Sequence, residues 1–195
     1  MKNPADHPIH DVLAARWSPS VFDPDRPVGP EALRSLFEAA RWTMSSYNEQ
    51  PWRYVVGVRG AGDGVWERVL GVLAEGNRTW AGRAPVLALG LAARELARNG
   101  RPNRCALHDL GAASASLTFE ATSRGLSVHQ MAGVDREAAR AEFDLDTSLE
   151  VVTGLAVGYA GDPATADEAL ASRDRKARER KPLDEIVVRG GFGEG

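Results

Sequence analysis

The sequence predicts an α+β fold with one long helix at its centre. Helical and extended patterns alternate along the 195 residues. Residues 85–92 form an almost wholly apolar run, short enough for a strand that is covered on both faces. Residues 106–123 form a long helical pattern rich in alanine, glycine and serine, which allows another helix to approach closely. These three observations together favour a layered domain of helices and strands.

The first half of the chain predicts three helices and one strand. Residues 12–16 form a short helical pattern that ends before Pro19. A second helix begins near Pro30, and its apolar side chains recur every three or four positions, as in a buried stripe. Residues 54–58 predict the first strand, and residues 64–73 predict a short amphipathic helix.

The second half predicts three strands around the long helix. After the strand at 85–92 and the helix at 106–123, we expect a strand at 126–130, a helix from Asp135 to Phe143 and a strand at 151–159. Beyond these elements we expect a loop with weak helix over 162–171, an extended tail over 182–188 and disorder over 190–195. We find no internal repeat and expect one domain over residues 1–195, with a C-terminal extension from about residue 180.

The composition is that of a globular domain and excludes several classes of function. Hydrophobic residues make up 43% of the chain and charged residues 26%, which rules out wholesale disorder. A net charge of −3 argues against nucleic acid or an anionic membrane surface as a partner. Cys105 is the single cysteine, so neither an internal disulfide nor a multi-cysteine metal site can form. Neither a signal peptide nor an apolar run of about 20 residues is present, so we expect a cytoplasmic protein.

Three polar features are candidates for a binding site, and each also has a plain structural interpretation. Residues 45–50 combine two serines and two amides, which suit a polar ring edge or a polyol but are also typical of a hydrophilic loop. Arg16 and Ser18 flank Trp17 at a helix end, where they can bind phosphate or simply terminate the helix. Arg178 and Arg180 lie in a charged run that is typical of a solvated face.

Taken together and in this order, these features resemble the nitroreductase-like family of flavoproteins. The turn Arg16-Trp17-Ser18 and the proline-rich linker after it are similar to the start of that family. Residues 45–52 match its pattern of two serines, an asparagine, a glutamine, a proline and a tryptophan. Asn77 ahead of the second strand, residues 109–111 at the start of the long helix and the closing run at 180–185 also fit. The resemblance spans residues 11–187.

The resemblance implies a fold, a cofactor and an activity. It implies a mostly antiparallel central sheet flanked by helices, in a homodimer whose C-terminal tails cross to the partner subunit. It also implies an oxidoreductase that binds flavin mononucleotide (FMN). NAD(P)H would reduce the flavin, and an electron-poor small molecule such as a nitroaromatic or a quinone would then take two electrons by a ping-pong mechanism. We identify no catalytic acid, base or nucleophile and no metal site, and hydride transfer needs none of these because the cofactor carries the chemistry.

The resemblance also assigns residues to the cofactor. The FMN phosphate and its surroundings would be held by Arg16, Trp17, Ser18, Ser20, Arg178 and Arg180. A flavin held mainly by the partner subunit would be reached by Ser45, Ser46 and Asn48, with Gln50 behind them. The ring would be met by the Asn77 side chain at its polar edge and by the backbone of Met131, Ala132 and Gly133 beside the reactive nitrogen.

Three positions depart from the family pattern. Ser20 stands where a second basic residue is frequent, and Ala132 stands where some branches have glutamate. Trp80 stands where several branches have lysine, and a tryptophan cannot stabilise negative charge on a reduced flavin. Trp80 and Ala132 therefore leave open a non-catalytic flavin carrier or redox sensor. A specialised branch, such as a reductive dehalogenase or a flavin-destroying enzyme, is a further alternative, although residues 60–84 are short for the extra lid of those branches.

Overall fold

The computed structural model describes residues 4–190, and its centre is a four-stranded antiparallel sheet. The strands are β1 (Trp52–Val58), β2 (Val86–Ala93), β3 (Ser127–Met131) and β4 (Leu149–Gly158). They lie in the order β1-β2-β4-β3, and each neighbouring pair is antiparallel. Strands β1 and β3 are therefore the two edges of the sheet. The expectation of a mostly antiparallel central sheet is confirmed.

Eight helices surround this sheet in the described part of the chain. They are α1 (Asp11–Ala15), α2 (Pro30–Arg41), α3 (Val65–Gly71), α4 (Glu75–Ala81), α5 (Ala106–Ser123), α6 (Arg136–Glu142), α7 (Glu168–Arg175) and α8 (Leu183–Ile186). Helix α5 has the predicted bounds. Eight of its 18 residues are buried, and four of these are alanine or serine. No helix within residues 4–190 has the length and apolar character needed to cross a bilayer.

The alternation of side chains along β2 divides the core into two layers. Val86, Ala88 and Ala92 pack against α2 and α5 on one face of the sheet. Leu87 and Leu89 face the other side, where they pack against α3, α4 and α6. Every residue of β2 up to Ala92 is buried, as expected for a strand that is covered on both faces. The result is three layers, with the sheet between two sets of helices.

The structure corrects two of the predicted elements. Residues 75–81, which include Asn77 and Trp80, form helix α4, a helix that the sequence pattern did not indicate. The tail at 182–188 was expected to be extended, but Leu183–Ile186 is a helical turn that follows Pro182. The acidic first turn of α8 favours this helix through the helix dipole. Of the segment predicted to be disordered, only Gly190 lies within the described residues.

Candidate functional site

Three arginines and a serine form a compact cationic cluster at the end of α1. Arg16 donates from Nη1 to Ser18 Oγ at 3.0 Å, and Arg178 donates from Nη1 to the Arg16 carbonyl at 2.9 Å. Burial, followed by the charge of Arg180, lowers the pKa of Arg16. Burial lowers the pKa of Arg178 as well, and the charges of Arg16 and Arg180 lower it further. The structure thus brings together four of the residues predicted to hold a phosphate, and their charges repel one another.

One donor of this cluster has nothing to bind in the described chain. Nη2 of Arg178 is buried, and no acceptor within residues 4–190 is in reach of it. A buried guanidinium nitrogen without an acceptor is costly, because it has lost its hydration without a replacement. An anion at this position supplies the acceptor that Arg178 Nη2 lacks, together with negative charge beside the arginines. The donor set therefore fits a phosphate group.

Two side chains fix the backbone of residues 19–21, which follows the cluster. Asp174 accepts hydrogen bonds from the backbone N–H of Ser20 at 2.8 Å and from that of Val21 at 2.9 Å. Nδ1 of His129 lies 2.7 Å from the Pro19 carbonyl oxygen, and since a carbonyl only accepts, this nitrogen carries the ring proton. Burial lowers the pKa of His129, which favours the neutral ring. The segment that follows Ser18 is therefore fixed to β3 and α7.

Of the other two residues predicted for the phosphate site, Ser20 is more deeply buried than the arginines. Trp17 is half-buried, and Ser20 is completely buried, with its hydroxyl oxygen lacking a partner among residues 4–190. The structure therefore places the Ser20 side chain inside the subunit, beneath the cationic cluster and not on its surface.

A second group of predicted residues meets just beyond the end of β3. Asn77 donates from Nδ2 to the Gly133 carbonyl at 3.0 Å, and the backbone N–H of Ala74 donates to the same oxygen at 2.9 Å. Met131 is buried, whereas Ala132 is exposed. His129, which contacts the Pro19 carbonyl beside the cationic cluster, is four residues before Gly133, so about 13 Å of β3 and its continuation joins these two contacts. Because β3 is an edge strand, both contacts lie at one border of the sheet.

The structure places Trp80 inside the subunit. Its side chain is only 1% exposed and packs between Phe22 and His129, with ring centroids 6.4 Å and 4.2 Å away. A residue in this position belongs to the core of the subunit. This position therefore provides no cation for a reduced flavin, and the alternative of a non-catalytic carrier is unchanged.

The polar loop at residues 45–50 is a rigid turn with a strained backbone. Tyr47, Asn48 and Gln50 have φ angles of 54°, 57° and 48°, a region that residues other than glycine rarely adopt. The loop is held by Ser45 Oγ, which accepts from the Gln50 N–H at 3.1 Å, and by the carboxylate of Asp109 in α5, which accepts from the Ser46 N–H at 3.1 Å. Gln50 Nε2 also donates to the Asn48 carbonyl at 3.1 Å. Such strain is typical of functional loops.

Within one subunit this loop and the cationic cluster lie at different positions along α5. Ser46 is bound to Asp109 in the first turn of α5, whereas Arg16 lines a groove of about 500 Å³ together with Phe119. Asp109 and Phe119 are ten residues apart, or about 15 Å along the helix axis. The structure therefore unites the cluster with the Asn77 group through β3, but it does not bring the Ser45 loop to the cluster of the same subunit.

Sequence reasoning missed the supports of the site. Asp174 lies among arginines in a charged run, and such a run is expected to be solvated, so no signal in the sequence marks this carboxylate as buried. The contact of His129 with Pro19 joins residues 110 positions apart and has no local signature either. Both supports follow from tertiary packing alone.

Comparison with known proteins agrees with this arrangement. A model of the nitroreductase family matches residues 13–159, which is more than half of the chain. An uncharacterised 15.4 kDa protein of Mycolicibacterium smegmatis is 40% identical over 144 residues, covering 72% of this chain and 97% of that protein. The major NAD(P)H-flavin oxidoreductase of Aliivibrio fischeri is 42% identical over 50 residues, or 26% of this chain and 23% of that protein.

Solved structures show the same fold over almost the full length. The crystal structure of an oxidoreductase containing FMN superimposes with a TM-score of 0.89 at 29% identity, covering 99% of this chain and 97% of that one. Its agreement extends beyond residue 159, where the family model ends and where Arg178 and Arg180 lie. From its matched residues and its fold, this chain belongs to the nitroreductase family.

Proposed function

We propose that this protein is an FMN-dependent oxidoreductase that takes two electrons from NAD(P)H and passes them to an electron-poor acceptor such as a nitroaromatic or a quinone. The observation that carries the proposal is the cationic cluster with its unmatched donor, Arg178 Nη2. A single terminal phosphate satisfies that donor and offsets the repulsion among the three arginines. The FMN named for the structurally similar oxidoreductase and the flavin named for the Aliivibrio fischeri relative support the same assignment.

The residues along β3 suit the rest of such a cofactor. Arg16, Ser18, Arg178 and Arg180 would bind the phosphate, and Asn77 would bind the polar edge of the ring. The backbone around Ala132 and Gly133 would lie beside the ring, where a small side chain leaves the approach open. When bound, FMN supplies the two-electron chemistry, and the protein contributes position, charge and the exclusion of water.

The acceptor and the nicotinamide would use one face of the flavin in turn. This exchange needs no side chain that gains or loses a proton, which agrees with a site built from permanently charged arginines, amides and backbone groups. Double-reciprocal plots at several acceptor concentrations should therefore be parallel. Intersecting lines would require a ternary complex and a second binding site.

We further propose a homodimer in which the Ser45 loop of one subunit reaches the flavin of the other. The separation of this loop from the cluster along α5 supports that division. Trp42, Met44 and Tyr47 surround the loop and are 76%, 80% and 76% exposed. Exposed apolar surface of this kind marks an interaction site. Sedimentation at micromolar concentration should show a dimer that contains flavin, and a monomer fully loaded with flavin would contradict the divided site.

The decisive experiment for the cofactor is the visible spectrum of the purified protein. We expect flavin absorption, and heat should release FMN and no FAD because the cluster suits one terminal phosphate. A protein that stays colourless after incubation with excess FMN would overturn the proposal. The rate of NADH oxidation with menadione as the acceptor then separates an enzyme from a flavin carrier. An enzyme should oxidise NADH steadily, whereas a carrier would be reduced once and stop.

A further inference from the structure

We propose that the loop of residues 94–104, here called the arginine loop, binds the 2′-phosphate of NADPH and makes this protein prefer NADPH to NADH. The inference rests on the proposed function, because it names the electron donor of the same site. NADPH differs from NADH only in this phosphate, which replaces a hydroxyl on the adenosine ribose. A preference therefore requires cations where that phosphate lies, and the arginine loop supplies them.

The arginine loop is positively charged, although the chain as a whole is negative. Its four arginines and one glutamate give a net charge of +3, whereas the whole chain has −3. Arg94 forms an ion pair with Glu150 at 3.2 Å. Arg98, Arg101 and Arg104 are exposed and have no ion pair within residues 4–190. Three guanidinium groups are thus available to a ligand.

These three arginines line a single cavity of about 330 Å³. Its other lining residues are Leu96, Asn99 and Pro102, so no carboxylate contributes to its wall. Planar guanidinium groups bind phosphate oxygens in pairs, and a dianionic phosphate gains more from them than a single hydroxyl does. The cavity is therefore suited to a phosphomonoester.

The backbone of the arginine loop is ordered by its own hydrogen bonds. The Asn103 N–H donates to the Arg94 carbonyl at 2.7 Å, and the Leu96 N–H donates to the Arg101 carbonyl at 2.8 Å. Gly100 turns the chain with a φ of 67°, which glycine adopts without strain. Helix α5 begins directly after the loop, so the positive end of its dipole faces the same region. The backbone that carries the three arginines is therefore ordered before any ligand binds.

Two contacts connect the arginine loop to the loop proposed to meet the flavin. The carboxylate of Glu49 accepts from the Ala97 N–H at 2.9 Å, and the guanidinium of Arg98 lies 4.3 Å from the centre of the Tyr47 ring. A nucleotide whose nicotinamide stacks on the flavin therefore has cations within reach of its other end. Glu49 and Glu95 are the acidic groups nearest in sequence to these contacts, and the former is occupied by the Ala97 N–H.

The test compares the oxidised nucleotides on the oxidised holoprotein, where no reaction occurs. Arg101→Gln with Arg104→Gln removes two cations of the cavity. Arg34→Gln is the matched control, because Arg34 is an exposed arginine of α2 with no ion pair within residues 4–190. Titration calorimetry should show that the double variant binds NADP⁺ about tenfold or more weakly, the loss expected for one charge-assisted hydrogen bond. Binding of NAD⁺ should change by less than about twofold, and the control should match the wild type for both.

The possible outcomes separate this inference from the proposed function. A wild-type protein that binds no flavin refutes the proposed function before any nucleotide is added. A flavin-loaded double variant that loses NADP⁺ and NAD⁺ affinity equally shows that the loop binds the shared pyrophosphate, and the inference is then wrong. Unchanged affinity for both nucleotides identifies an ordinary solvated loop and also overturns it. Should the double variant lose its flavin, Arg98→Gln alone provides the same comparison.

Discussion

Replacing Asp174 with asparagine should destabilise the protein although the change removes no bulk. The carboxylate accepts from two buried backbone N–H groups, those of Ser20 and Val21, through both of its oxygens. Asparagine keeps one acceptor oxygen and places an NH₂ group where the other was, so one buried donor loses its partner. A hydrogen bond to a charged group contributes about 1.5–3 kcal/mol, and we expect a loss of about 2 kcal/mol in the free energy of unfolding.

Asp167→Asn is the matched control, because it makes the same chemical change on the same helix. Asp167 is exposed and caps α7 by accepting from the Leu170 N–H at 3.0 Å. Asparagine and aspartate are about equally good caps, so this variant should stay within about 0.5 kcal/mol of the wild type.

Urea unfolding of both variants without flavin, at one protein concentration, measures the difference independently of the cofactor. If Asp174→Asn lies within about 0.5 kcal/mol of the control, the carboxylate does not support the backbone as described. If the loss is found, the affinity of the same variant for FMN should also fall, because the segment after Ser18 is less well fixed.

Three further substitutions test the remaining parts of the site. Arg180→Ala should weaken FMN binding about tenfold or more in a fluorescence titration while the unfolding curve stays unchanged, and unaltered affinity would remove this residue from the phosphate site. Gly133→Ala would place a Cβ against Asn77 Nδ2 and should lower the free energy of unfolding by about 1–3 kcal/mol. As the control, Gly76→Ala in α4 adds a Cβ that meets no atom within 4 Å, so it should be neutral or stabilising. Equal effects of the two substitutions would contradict the close approach at Gly133. Burial lowers the pKa of His129 below 6.5, so the unfolded chain takes up this proton more readily than the folded one. The contribution of His129 to stability should therefore be complete above about pH 6.5 and fall as the pH drops towards the folded-state pKa. The midpoint of urea unfolding should show this fall in the wild type, and His129→Gln should reduce it. An identical pH profile in the variant would mean that another group is responsible.

The regular elements were predictable where the apolar pattern is strong. The strand expected at 85–92 is observed at Val86–Ala93, and α5 has the bounds that its small-residue pattern indicated. Helix α4 was missed because only its end, at Trp80 and Ala81, is buried, which leaves no periodic apolar stripe over seven residues. The turn at Leu183–Ile186 was missed because the β-branched residues after it outweighed the proline and acidic residues that favour a helix start.

Some features of the candidate site could also be predicted from local sequence, whereas others depend on tertiary packing. The arginines and the serine pattern became candidates because their local composition suits a known chemistry and their order resembles the family pattern. The positions of Ser20 and Trp80 were not predicted, because a motif assigns a residue to a neighbourhood in the chain and says nothing of its direction in the core. Both lie in the described core for a reason that only packing shows: Trp80 fills the space between Phe22 and His129, and the backbone of Ser20 is drawn inward by Asp174.

The Ser45 loop and the cationic cluster both contain an unfavourable feature, but only the loop offsets it within the subunit. Three non-glycine residues of the Ser45 loop adopt the left-handed region, at a cost of about 1–2 kcal/mol each. That cost is offset within the subunit, by Ser45 Oγ and the carboxylate of Asp109, so this loop has its shape before anything binds. In the cationic cluster, the buried Arg178 Nη2 has no such compensation within residues 4–190, and the charges of Arg16 and Arg180 lower the pKa of this residue further. Only an anion relieves that cost, and the stability of this end of the molecule is therefore coupled to the ligand it binds.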